Sequence, residues 1–80
     1  LAVVSGGAAG RLESARAAGV DAFVTGEPSE PSVRSSEEMG ICYFSIGHYN
    51  SERPGPMALA DHLRRHFDID AEFVDVPNAI

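Results

Sequence analysis

The chain has 80 residues, 44% of them hydrophobic, with one cysteine and a formal net charge of -6. That length holds one small domain, and burial of only roughly 60–65% of the unfolded surface leaves such a domain marginal without further support. All six basic residues are Arg, scattered apart from the adjacent Arg64 and Arg65, so no basic stripe faces phosphates and extended nucleic-acid binding is not expected.

No apolar run approaches the ~20 residues needed to span a bilayer. No basic n-region precedes "LAVV". A cytoplasmic protein with no membrane partner is therefore expected. Cys42 has no internal partner, and its strand-like surroundings read as a buried thiol in a reducing compartment. The start at Leu1, already apolar and without Met, reads as a piece of a longer chain. The Ala-rich, Lys-free composition fits a GC-rich bacterial genome.

In chain order, residues 1–4 form the first strand-like run, followed by the glycine-rich turn "SGGAAG". "RLESARAAG" then places Leu12, Ala15 and Ala18 on one helical face, with Gly19 as a stop. Residues 22–25 make the second strand. A helix begins after Ser29 as N-cap, tolerates Pro31 in its first turn and stops at Gly40. Only Val33 and Met39 give it apolar content, so it is expected at the periphery.

The third strand spans residues 41–46, with Tyr43 and Phe44 read as core. The last helix is expected to start with Gly55 as N-cap and Pro56 at N1, because an earlier start would set Pro56 against the carbonyl of Glu52. Met57, Ala60, Leu63 and Phe67 then face inward, and Glu52 falls in a connecting loop. Residues 72–76 read as a fourth strand. This βαβαβαβ order predicts a single α/β domain over residues 1–80 with a small, mostly parallel sheet.

In an open parallel sheet, ligands bind beyond the carboxyl ends of the strands. Three polar stretches fall there: "SGGAAG", "TGE" and "GHYNSE". The first resembles a phosphate-binding turn, but Ser5 stands where a dinucleotide fingerprint wants glycine, and a structural turn explains Gly6 and Gly7 equally. His48 and Glu52 supply an imidazole and a carboxylate suited to zinc, iron or manganese. They also fit a solvated loop histidine beside a dipole-favoured glutamate. Two ligands fall short of the about three that a catalytic zinc centre takes from protein. His62 and His66, beside Arg64 and Arg65, read as a solvated face complementing a helix C-terminus, and Asp61 and Glu72 as surface charges.

"GVDAFVTGEPSE", "EMGICYFSIGHYNSE" and "FVDVPNAI" together resemble, in order and spacing, the C-terminal part of the GTP cyclohydrolase 1 type 2 homologue family, also described as dinuclear-metal-centre proteins. The resemblance implies that His48 and Glu52 are metal ligands. It implies two divalent ions, zinc, iron or manganese, completed by a histidine pair and a carboxylate from an N-terminal half outside this chain. It further implies one half of a two-lobed metal-binding fold, assembled as a homohexamer.

Ser5, Gly6, Gly7, Thr25, Glu27 and Tyr49 are then expected behind the ligands or against a small-molecule substrate. Tyr49 stands where a second histidine is frequent in the family, and Arg34 where histidine often occurs, so substrate preference is expected to differ. The leading expectation is a metal-dependent hydrolase acting on a nucleotide or phosphoester. The alternative is a non-catalytic, metal-stabilised oligomeric scaffold or binding adaptor.

Overall fold

The computed structural model describes all 80 residues. Three short strands, β1 (Ala2–Val4), β2 (Ala22–Thr25) and β3 (Cys42–Ser45), pair in parallel in the order β1-β2-β3. Between them run a 3-10 turn at Ala9–Arg11 leading into α1 (Leu12–Ala17), and α2 (Glu30–Met39). After β3 come α3 (His48–Glu52) and α4 (Pro54–His66). The expected parallel α/β class is the one observed.

Register explains the core. Ala2, Phe23 and Tyr43 stand in one row across the sheet. Phe23 is fully buried and packs with Leu12 and Ala15 of α1 and with Ile41. Phe23 and Tyr43 contact each other with ring centroids 5.8 Å apart. α2 starts after Ser29, where the Ser32 hydroxyl accepts the Ser29 N–H at 2.9 Å, and ends on Gly40 with φ 63. Its apolar content is as thin as the sequence implied, and Val33 is 53% exposed.

The alternate row, Val3, Val24 and Phe44, faces the other way and is uncovered, with Val3 and Phe44 66% and 52% exposed. Period-two alternation puts Cys42 on the same open face. The cysteine is exposed, correcting the expected buried thiol, and Phe44 is likewise not core.

Three further expectations are revised. Residues 72–76 form no strand; the chain from Phe67 onward has no regular secondary structure. The segment is held beside α3, where Arg53 pairs with Asp75 at 2.8 Å and the Tyr49 N–H donates to the Ile80 carbonyl at 2.7 Å. α4 starts at Pro54 with Arg53 as N-cap, not at Gly55. Pro54 and Pro56 each remove one backbone donor, so α3 closes at Glu52 and a new helix begins two residues on, with both prolines in its donor-free first turn. Glu52 therefore ends a helix instead of lying in a loop. Finally, only Ala60 of the expected inward face of α4 is buried; Met57 and Phe67 are 46% and 57% exposed.

The Cα radius of gyration is 15.6 Å, over extents of 51 × 28 × 14 Å. A compact chain of this length would measure about 12 Å. α4 and the open sheet face lack covering partners within these residues.

Candidate functional site

The strand ends converge through a continuous set of hydrogen bonds. Beyond β2 and β3 the ladder runs on, with Ile46 N–H donating to Thr25 O and Gly47 N–H to Gly26 O, both at 2.9 Å. That extension brings the start of α3 against Gly26. A Cβ on Gly26 would lie 2.6 Å from Gly6 O and 2.8 Å from the His48 Cα, so only glycine allows the approach. Gly6 is the matching element from the first strand. It has φ 67, its N–H donates to Ser51 Oγ at 2.9 Å, and its carbonyl accepts from Gly26 N–H at 2.9 Å. A Cβ there would meet Glu52 Oε1 at 2.5 Å and His48 Nε2 at 3.3 Å.

His48 and Glu52, four residues apart on α3, share one helical face, with Nε2 3.2 Å from Glu52 Oε1. The other ring nitrogen, Nδ1, is bound by the Glu27 carboxylate, which extends from the end of β2. The Glu27 backbone is itself fixed by the Tyr43 hydroxyl, which donates to its carbonyl at 2.8 Å. The hydrogen bond from Glu27, reinforced by the Glu52 charge, raises the His48 pKa above its ordinary value. Tyr49 donates its hydroxyl to Asp75, which pushes the phenol pKa up.

A cavity of about 390 Å³ opens over this cluster. It is lined by Glu27, His48, Tyr49 and Glu52 together with Val76, Asn78 and Ile80 of the C-terminal segment. Of the residues expected near the ligands, Glu27 and Tyr49 line this cavity, while Gly6 and Gly7 lie directly behind Glu52 and Glu27. Ser5 is exposed and takes no part in the cavity. Thr25 does not face it either: it is fully buried, donating to Gly6 O at 3.1 Å and accepting from Ala8 N–H at 3.2 Å. Its role is to hold the glycine turn. His62 and His66 sit exposed on α4, rings 4.4 Å apart, outside the cavity. Asp75, Asn78 and Ile80 were missed in the sequence. Asp75 falls in the run 72–76 that reads as a strand, and Asn78 and Ile80 lie beyond it, in a stretch whose pattern carries no site signal.

The donor geometry suits a metal ion. Two donors each about 2.1 Å from a shared ion stand roughly 3.0–3.4 Å apart, which the Nε2 to Oε1 separation matches. Glu27 holds Nδ1, so Nε2 is the nitrogen that could ligate an ion, the arrangement partner carboxylates give metal-bound histidines. No group of three or more His, Cys, Asp or Glu side chains is arranged to hold an ion, so this chain offers two donors.

The glycine-lined histidine–carboxylate cluster lies beyond the carboxyl ends of parallel strands, the position where open α/β sheets carry ligand sites. Residues 1–79 match the profile of Duf34/NIF3 (NGG1p interacting factor 3), and the chain belongs to that family. It is 47% identical over 78 residues to a GTP cyclohydrolase 1 type 2 homolog of Pseudomonas aeruginosa, covering 98% of this chain and 31% of that protein. A protein of the same name from Escherichia coli K12 is 41% identical over 78 residues, 32% of its length. A solved structure described as "protein ybgI, unknown function" superposes with a TM-score of 0.89 at 40% identity, over 98% of this chain and 32% of that one. The chain thus spans about a third of the length of the relatives it matches.

Proposed function

We propose that this chain is one lobe of a metal-dependent hydrolase, contributing His48 and Glu52 to a dinuclear centre whose other ligands lie in the remaining two thirds of the protein. The observation that carries the reading is the pair itself: Nε2 and Oε1 3.2 Å apart at a strand's carboxyl end, with Nδ1 held by Glu27. Two divalent ions bound there would polarise a phosphoryl or acyl oxygen and activate a water. Glu27 fixes the imidazole orientation, and Gly6 leaves room for both donors. The name of the relatives, GTP cyclohydrolase 1 type 2 homolog, supports a nucleotide substrate, and the two-ion chemistry suits its phosphate groups. No helix is long and apolar enough to cross a membrane, in keeping with a cytoplasmic enzyme.

A second reading, a metal-stabilised homo-oligomeric scaffold such as a hexamer, is favoured by the uncovered row Val3, Val24 and Phe44 and by the exposed α4. Elemental analysis of the full-length protein, paired with a hydrolysis screen over GTP and bis(4-nitrophenyl) phosphate, separates the two. The hydrolase reading expects bound metal and turnover, both lost in His48→Ala and retained in His62→Ala. Bound metal without turnover of any phosphoester favours the scaffold.

A further inference from the structure

The segment after α4 carries no regular structure, yet it supplies three of the seven residues that line the cavity. Three contacts fix it to α3. Asp75 accepts from the Tyr49 hydroxyl and from Arg53 at 2.8 Å, and the Ile80 carbonyl accepts the Tyr49 N–H at 2.7 Å. The Arg53 guanidinium also lies 5.0 Å from the centre of the Tyr49 ring, so cation, ring and carboxylate form one clamp. The segment so held lines the same cavity as His48 and Glu52 with Val76, Asn78 and Ile80.

Asn78 is the polar member of that wall. Its Oδ1 accepts the Ile80 N–H at 2.9 Å, which commits the acceptor end of the amide to the segment's own backbone. The donor end remains, in a cavity whose other charged groups are the Glu27 and Glu52 carboxylates and the His48 ring. Val76 and Ile80 flank it, 73% and 66% exposed, as apolar surface without a protein partner.

We propose that residues 73–80 form the substrate-contacting wall of the site. Asn78 donates a hydrogen bond to a phosphoester whose ester group carries an apolar or aromatic ring, and Asp75 positions the wall through Tyr49 and Arg53. The inference rests on the metal-hydrolase reading, because Glu27 and Glu52 alone repel a phosphoester. Donor and apolar flank match the two ends of such a substrate. The clamp explains why an irregular segment is placed at all.

The test uses full-length, metal-loaded protein with bis(4-nitrophenyl) phosphate as probe. Asn78→Ala and the similarly sized, uncharged Asn78→Leu, neither of which has an amide donor, raise KM about five- to tenfold, the scale of one hydrogen bond. Both keep kcat within about threefold and metal content at the wild-type level, since neither group touches the ion. Asp75→Asn raises KM similarly and speeds deuterium exchange across residues 73–80, again with metal retained. Unchanged KM in both Asn78 variants, while His48→Ala abolishes turnover, overturns the substrate role of Asn78 and leaves the hydrolase reading standing. Wild-type protein that turns over GTP but never the probe overturns this substrate class and leaves the hydrolase reading standing, and turnover of neither overturns both. Exchange over residues 73–80 that is identical in Asp75→Asn and wild type overturns the clamp, whatever the kinetics show.

Discussion

At the scale of single residues, the site depends on how two carboxylates share one imidazole. Glu27 binds Nδ1 and Glu52 lies against Nε2, and both carboxylates favour the protonated ring. The His48 pKa is accordingly raised above the ordinary 6.5, first by the Glu27 hydrogen bond. Any contribution of the pair to folding is complete below that ordinary value and is lost as pH rises through the raised one. Metal coordination needs the neutral ring, so acid competes with the ion for His48. Replacing Glu27 with Gln is expected to bring the His48 titration, followed by NMR in metal-free protein, down toward 6.5; an unshifted titration would remove Glu27 from the account. "GHYNSE" showed the residue types and their spacing. It could not show that Glu27, twenty-one positions earlier, reaches the same ring, because a register between parallel strands decides that contact.

Elements set the distances within which those residues act. Gly26 is the tightest point, where β2, the glycine turn after β1 and the first turn of α3 all meet. Gly26→Ala drives a methyl into backbone atoms that cannot rotate away. We expect a loss of about 1–3 kcal/mol in the full-length protein, measured by denaturant unfolding. A loss in bound metal should accompany it, because His48 must move. Wild-type stability and metal content together would contradict this geometry.

α2 offers a cleaner local test. The Ser32 hydroxyl, 3% exposed, both accepts the Ser29 N–H and donates to the Ser29 carbonyl, closing the first turn. Ser32→Ala should cost about 1–2 kcal/mol, on the scale of losing an N-terminal cap, with metal content unchanged. The helix start at Ser29 and the stop at Gly40 were legible because caps are local chemistry. The start of α4 was not. Pro54 and Pro56 each fit a first turn, and only the packing of α3 against Gly26 chose between them.

For the molecule as a whole, the open row of exposed Val3, half-buried Val24 and exposed Phe44 is the dominant energetic fact. Parallel sheets are normally covered on both faces, and this one is covered on one. Only 9 of 80 residues are buried, too few for a self-sufficient core of this length. The isolated 80-residue chain is therefore expected to melt below the 45–65 °C usual for mesophile domains and to self-associate through the open face. Circular dichroism with sedimentation measures both, and a sharp monomeric transition above 65 °C would show that the open face needs no cover. Added zinc or manganese should raise that melting temperature very little, since two ligands bind too weakly for metal to exceed its dissociation constant.

The sequence by itself determined the α/β alternation, the three strands, the capped second helix and the placing of His48 and Glu52 at a strand end. Each follows from local periodicity, turn chemistry or the spacing of neighbours along the chain. The tertiary structure alone decided that Cys42 and Phe44 are exposed, that Thr25 is a buried strut, and that Glu27 grips His48. It also decided that residues 72–76, strand-like in pattern, pair with no strand, and that only Val76 among them reaches the cavity. Alternation records which faces a segment can bury; whether a neighbouring strand is there to receive its backbone depends on residues far away in the chain.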